Sequence, residues 1–301
     1  AIAVTDTNNL FGALEFAQKA TKEGVQPIVG CQLDVSFNDM AADAGRSAAR
    51  RGNGRDLQPL VLIAATEGGY ANLVKLVSRA YLEGAPGDPV GVPLDAVANL
   101  ADGIICLTGG QRGPVGTLLR SDHRAVAESR LVQLKAIFGN RLYVELERPA
   151  GYDRRVETAT IELAYAHELP LVATNEAFFH VRDDYEAHDA LIAIAEGSVI
   201  AVDDRRRLSP DNFLRSQKEM SALFQDLPEA LDNTIEIARR CSYYPRNRNP
   251  ILPRFTGADA ADPDAALQAE ADELARQARE GLAERLSAHG PTQGYTVEDY
   301  E

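Results

Sequence analysis

Residues 3–29 read AVTDTNNLFGALEFAQKATKEGVQPIV, and this stretch decides the fold. Residues 1–5 form a short apolar strand, and Asp6, Thr7, Asn8 and Asn9 follow as a polar turn. Leu10, Ala13, Leu14, Ala17 and Ala20 then recur at helical spacing, and Gly24 ends that helix before a second apolar run over 25–30. Strand, turn, helix and strand in this order make the repeating unit of α/β proteins.

The same alternation continues outward. Strands are predicted at 1–5, 27–35, 60–65, 103–108, 142–146 and 171–174, and helices at 10–23, 70–82, 123–138 and 154–168. This implies a mainly parallel sheet with crossover helices, either open or closed into a barrel. Periodicity does not choose between the two. Residues 38–58 interrupt the pattern with Ala, Gly, Arg and Asp and read as a flexible surface insertion. Beyond Gly197 the alternation ends. Ser216-Gln217-Lys218-Glu219 has the form of a capping box, a helix follows at 228–241, and 243–253 is a connector with three prolines. An acidic helix over about 262–288 puts Leu267, Leu274, Ala278, Gly281 and Leu282 on one face.

A chain of 301 residues can bury a large core, and no apolar run in it is long enough to span a bilayer. Nothing resembles a signal peptide, and Cys31, Cys106 and Cys241 lack zinc-ligand spacing, so buried thiols in a reducing cytoplasm are expected. The net charge of −14 argues against a main nucleic-acid grip, which needs clustered Lys and Arg. Arg205-Arg206-Arg207 reads as solvated surface. There is no P-loop, no G-x-S-x-G elbow and no H-E-x-x-H. Gly109-Gly110-Gln111-Arg112-Gly113 after a strand fits an anion cradle and a tight glycine turn equally well.

The turn and helix TD-x-x-N-LFG-x-x-EF, followed by G-x-x-PI-x-G, resemble the opening of the polymerase-and-histidinol-phosphatase (PHP) domain of bacterial DNA polymerase III alpha subunits. Further similar segments follow in the family's order: the helix from Gly69-Tyr70 to Ala80-Tyr81, the strand and turn from Gly103 to Gly110, Leu171-Val172-Ala173-Thr174-Asn175, and the helix from Asp226 to Ala238. The resemblance implies an α/β fold, a distorted seven-stranded β/α barrel followed by a C-terminal helical linker region. It divides the chain into a PHP domain at 1–200, a connecting segment at 201–255 and the acidic helical start of the polymerase palm at 256–301. A chain that opens inside a strand without Met reads as an excerpt, with one strand expected upstream and polymerase domains downstream.

Competent PHP domains line their mouth with His, Asp and Glu ligands for a cluster of divalent metals, which activate water and neutralise charge during phosphoester hydrolysis. This sequence departs from that pattern. The turn Thr5-Asp6-Thr7-Asn8-Asn9 has Thr7 in place of the family's His, and Gln32 stands for a Glu. Pro149, after Arg148, falls where a His is expected, and the Asn-Asp-x-His motif reads Asn175-Glu176-Ala177-Phe178. The resemblance therefore implies a vestigial pocket with no catalytic residue, no metal and no cofactor in this segment. Asp6, Glu176, His180 and His188 are the groups left for any residual metal. Around His180 and His188 the sequence also fits a helix N-terminus rich in Asp and Glu.

By the same resemblance, the parent chain would be a cytoplasmic DNA-directed DNA polymerase, with Mg expected at its downstream site. The segment would stabilise that polymerase and dock the separate proofreading exonuclease (epsilon) subunit. It would contact the polymerase palm, reach DNA only through the parent protein and meet no membrane. The alternative reading is an active metal-dependent phosphoesterase working as a 3′–5′ exonuclease or pyrophosphatase.

Overall fold

Pro27–Ser36 (β2) is the longest strand, and the sheet extends outward from it. The computed structural model describes residues 1–37, 56–249, 255 and 263–300. Ile2–Val4 (β1) runs parallel to β2, with Ile2 opposite Pro27 and Val4 opposite Val29. Leu57–Ala64 (β3) runs antiparallel on its other side, in register from Gly30 opposite Ile63 to Ser36 opposite Leu57. The short Val92–Pro93 (β4) adds to the end of β2. Ile104–Leu107 (β5) is antiparallel to β3, and Leu142–Glu147 (β6) and Leu171–Thr174 (β7) continue in parallel from β5. The seven strands form one curled sheet in the order β1-β2-β3-β5-β6-β7, with β4 beside β2, consistent with the PHP barrel. The reversal of β3 departs from a simple parallel reading. An apolar run carries no mark of its direction.

Helices pack on this sheet where the spacing placed them, with ends set by local hydrogen bonds. Ala13–Lys22 (α1) starts three residues later than Leu10, because Asn9 Oδ1 accepts from the Phe11 N–H and keeps 9–11 in a turn. Glu67–Leu82 (α2) starts three residues before Tyr70, because Thr66 caps it through the Gly69 N–H. Leu94–Asn99 (α3) and Gly116–Arg120 (α4) are too short to show a helical period. Arg124–Phe138 (α5) and Arg154–Ala166 (α6) lie within a residue or two of the expected helices. Tyr185–Ala195 (α7) follows the Asp and Glu cluster. Gln217–Leu223 (α8) opens with the full capping box, and Pro228–Arg240 (α9) follows it.

The central strands are buried on both faces, which is why they read as continuous apolar runs. Leu60, Leu62 and Ala64 join Leu33, Leu73, Leu76, Leu131 and Leu134 in one cluster. Val61, Ile63 and Ala65 face the other way, onto Ile105, Leu107, Tyr143 and Val172. Ile237 and Cys241 belong to that second cluster, so α9 covers it. Side-chain amides fasten the helix. Asn233 donates to the Leu171 carbonyl at 2.8 Å, and Gln26 donates to the Ala238 and Cys241 carbonyls at 2.7 Å each. The segment read as a connector from 201 thus lies, as far as residue 246, within the compact unit Ala1–Arg246.

The second unit, Asn247–Glu301, contains Pro263–His289 (α10), on which Leu267 and Leu274 are exposed and Ala266 is buried. Most of the expected insertion at 38–58 lies outside the described residues, while Leu57 and Gln58 begin β3. Phe37 and Asp56, the described residues on either side of 38–55, are held by Arg130 of α5, itself only 1% exposed. Its guanidinium sits 4.7 Å over the Phe37 ring and 3.9 Å from the Asp56 carboxylate. No helix among the described residues is long and apolar enough to cross a membrane.

Gly69 marks the closest approach of α2 to the β5 turn, since a Cβ there would lie 1.9 Å from the Gly103 carbonyl oxygen. Gly69→Ala should therefore destabilise the unit by about 1–3 kcal/mol through overpacking. Gly68→Ala, whose Cβ would meet nothing closer than 3.9 Å, should leave the unfolding midpoint unchanged or raise it. Urea unfolding of the pair checks this.

Candidate functional site

In parallel α/β sheets, functional groups collect at the carboxyl ends of strands. Here β5, β6 and β7 end side by side at Leu107, Glu147 and Thr174. A cavity of about 350 Å³ opens at these ends, lined by Arg112, Arg120, Glu147, Arg148, Asn175 and Glu176 among others.

A buried carboxyl, Glu145, and a half-buried one, Glu147, sit at its base. The strand Leu-Tyr-Val-Glu-Leu-Glu puts Tyr143, Glu145 and Glu147 on one face by simple alternation. Glu145 is 4% exposed. Its Oε1 accepts from the Thr174 hydroxyl at 2.8 Å and its Oε2 from the Gly109 N–H at 2.9 Å. Its own N–H donates to the Thr108 hydroxyl. Gly109 and Gly110 both have positive φ, 76° and 57°. The glycine turn is thus both things the sequence allowed, a tight turn and an anion cradle, and the anion is the chain's own Glu145. Burial raises the Glu145 carboxyl to about 7 against these hydrogen bonds, with the Glu176 charge raising it further and Arg112 opposing. Burial likewise pushes Glu147 well above the usual carboxylate range, helped by the charges of Glu145 and Glu176.

The residues read from the sequence fall into separate places. Arg148, Pro149, Asn175 and Glu176 line the cavity. Asp6, Thr7 and Asn8 follow β1 and Gln32 lies within β2, and none of them lines it. Among these, Thr7 and Gln32 bridge in parallel, and Gln32 Nε2 donates to the Thr7 hydroxyl at 3.3 Å. Asn8, in the left-handed region at φ 55°, exchanges two 3.0 Å bonds with Asp34. Asn175 donates to the Phe213 carbonyl and accepts from Arg215. Glu176 is ion-paired with Arg112. Phe178 packs near the His188 ring at 5.9 Å between centroids, with Phe179 at 5.4 Å on the same imidazole. His180 lines a different cleft, beside Arg182, Arg215 and Glu219. Among the described residues, no three His, Cys, Asp or Glu side chains are grouped to hold a metal ion.

Arg148 is the most heavily bonded of these side chains. It makes paired bonds to Glu157 at 2.9 Å and to Asp226 at 2.7 and 2.8 Å, donates to the Leu223 carbonyl at 2.7 Å and stacks 4.6 Å over Phe224. The reading of 205–207 as solvated surface fails at Arg205. That side chain is 3% exposed and forms a two-pronged pair with Asp189, a residue of α7 that the spacing alone does not bring near. Arg206 and Arg207 are exposed and line the cavity. Glu145 and Arg120 are among the site residues that the sequence reading missed. The one available signal was two Glu at alternate positions of an otherwise apolar strand.

A raised carboxyl pKa means that the folded state holds its proton more tightly than the unfolded chain. The stabilisation is complete below the unfolded value of 4.5 and is lost as pH climbs through about 7. Unfolding free energy should therefore fall between pH 5 and pH 8, by at most about 1.4 kcal/mol per pH unit for each such group. Urea titrations across that range should show a flatter dependence for Glu145→Gln. Separately, Arg148→Met leaves Glu157 buried without its partner and should cost about 3–5 kcal/mol in the same assay.

Residues 1–149 match the family model for the PHP domain. The chain is 41% identical over its full length to the DNA polymerase III subunit alpha of Caulobacter vibrioides, of which it covers 25%. It is 35% identical over 95% of its length to the same subunit of Escherichia coli K12, covering 23% of that protein, and 32% identical over its full length to that of Rickettsia bellii, covering 24%. It thus spans about a quarter of the length of the curated relatives it matches. With the curled seven-stranded sheet and the match over its first half, the chain belongs to the PHP-domain family, as the PHP region of the DNA polymerase III alpha type.

Proposed function

We propose that this chain is a PHP region that keeps the fold of a metal-dependent phosphoesterase without its metal chemistry, and that it works as a structural part of a replicative polymerase. One observation carries the reading: the side chains at the expected ligand positions are committed to protein partners. Thr7 and Gln32 bond each other, Glu176 is held by Arg112 and Phe178 lies against His188, while Pro149 offers no donor atom and follows an Arg148 held by Glu157 and Asp226. A metal cluster needs several imidazoles and carboxylates free to converge on one point. Hydroxyl, amide, phenyl and guanidinium groups in fixed bonds do not fit that need.

The name carried by the relatives, DNA polymerase III subunit alpha, supports placing the whole protein in bacterial DNA replication. In this reading the full chain transfers nucleotides to DNA in the cytoplasm, with Mg²⁺ at a site outside these residues. The PHP region braces the polymerase palm and offers its outer helices to the epsilon proofreading subunit. A polymerase served by a separate exonuclease has no need of a second nuclease in its own chain, and the side chains of the pocket are then free to be spent on internal bonds.

Metal content by mass spectrometry after incubation with zinc and manganese, together with a 3′–5′ exonuclease assay, tests the reading. Less than one equivalent of metal and no hydrolysis are expected, and Thr7→His with Phe178→His should remain inactive because Gln32 and Pro149 are unchanged. Two or more tightly held metals with metal-dependent hydrolysis would overturn it.

A further inference from the structure

Glu145 is a titratable group at the mouth that the proposed function leaves unused, and its surroundings favour the proton over the charge. Its carboxyl joins three elements: its own strand β6, β7 through the Thr174 hydroxyl at 2.8 Å, and the turn after β5 through the Gly109 N–H at 2.9 Å. Both donors are neutral. The charged groups around it are mostly of its own sign. Glu147 stands two residues along the strand, Glu176 follows β7, and Glu157 of α6 lines a small space together with Glu145 and Glu147. Glu157 is matched by Arg148, and Arg112, whose charge favours an ionised Glu145, is paired with Glu176. On β5 the buried Cys106 thiol stays protonated, pushed up by burial and by the Glu145 charge. A carboxyl kept from water among like charges holds its proton into the neutral range.

We infer that Glu145 is a proton-operated latch: with its proton it ties the glycine turn 109–113 to the ends of β6 and β7, and without it the turn, carrying Arg112, swings away from the mouth. Closed, the latch buries the carboxyl; open, the carboxyl meets water and returns to the ordinary carboxylate range. Linkage then fixes the direction. With the folded value raised by burial to about 7, closure is most favourable below the ordinary value of 4.5 and weakens as pH rises through about 7. The proton costs neither contact, because a protonated carboxyl donates to Thr174 Oγ1 while its other oxygen still accepts from the Gly109 N–H. The turn is built to move as a unit. The Gly113 N–H returns to the Gly109 carbonyl at 2.8 Å, and Gly109 and Gly110 have positive φ. Of its side-chain ties to neighbouring segments, Gln111 exchanges two bonds with the Asp153 backbone and Arg112 meets Glu176, while the bond from Gly109 to Glu145 is the buried one. Opening parts Arg112 from Glu176, so the proton on Glu145 sets how far the mouth stands open.

Amide hydrogen exchange from pH 5 to pH 9, on the full-length protein in EDTA, tests the inference, with each rate divided by the intrinsic rate at that pH. Amides of 109–113 should open about tenfold or more as often at pH 7.5 as at pH 5, and level off above that. They should be less protected than the β2–β3 ladder at every pH, because the latch opens without unfolding the sheet. Glu145→Gln, whose amide donates to Thr174 and accepts from Gly109 at every pH, should at least halve the slope. Thr174→Val removes a donor to the ionised carboxylate and should move the levelling-off to higher pH, a shift that lost packing alone does not produce. Glu162→Gln, on an exposed pair with Arg124, should leave the profile unchanged. A flat wild-type profile, protection equal to that of the ladder, or an unaltered slope in Glu145→Gln overturns the inference. If Glu145→Gln does not fold, Thr174→Val decides, and an unshifted profile overturns it.

Discussion

A guanidinium buried at the end of β6 ties the sheet to the helices that close it. Arg148 joins its strand to α6 through Glu157, and to the α8–α9 junction through Asp226 and the Leu223 carbonyl. Burying such a charge is costly, and the cost is offset only when every N–H finds an acceptor in good geometry. Here two carboxylates and a carbonyl supply them, and the Phe224 ring covers the guanidinium face. The position of α9 follows from this fixing point. Through α9, so does the cover over Val61, Ile63, Ile105 and Tyr143, one whole face of the sheet.

The same economy runs through the pocket. Toward the carboxyl-end edge of the sheet, this chain uses polar side chains to brace neighbouring strands and turns against one another. Thr7 meets Gln32 across β1 and β2, Glu145 links β6 to β7 and to the glycine turn, and Glu176 reaches back to Arg112. Each bond lies between elements far apart in sequence.

Much of the fold could be read from spacing because it rests on local periodicity. The α1 period from Ala13 to Ala20, the Ser216 capping box and the paired glycines at 109 and 110 each announce one element. The direction of β3 could not be read, since its residues are apolar on both faces and a reversed strand buries the same set. The elements α3, α4 and β4 are shorter than the periods that would reveal them. At the site, the glycine turn was legible and its occupant was not. Gly109 and Glu145 are 36 residues apart, and nothing in either segment names the other. Arg205 shows the same limit, because its burial depends on Asp189 lying on a helix that packs beside it.

The clamp made by Arg130 has a consequence for how this domain tolerates change. Phe37 and Asp56, the last and first described residues on either side of 38–55, are gripped by one side chain of α5. Beyond them β2 and β3 are locked by seven consecutive pairs. The two feet of the connection are therefore fixed independently of what joins them, and loop-closure entropy grows only slowly with length. Lengthening, shortening or replacing the segment between those feet leaves the ladder register untouched. Because β2 finishes and β3 begins at the edge where the parallel strands deliver their carboxyl ends, this is the natural port for grafting a reporter or a binding peptide at that edge.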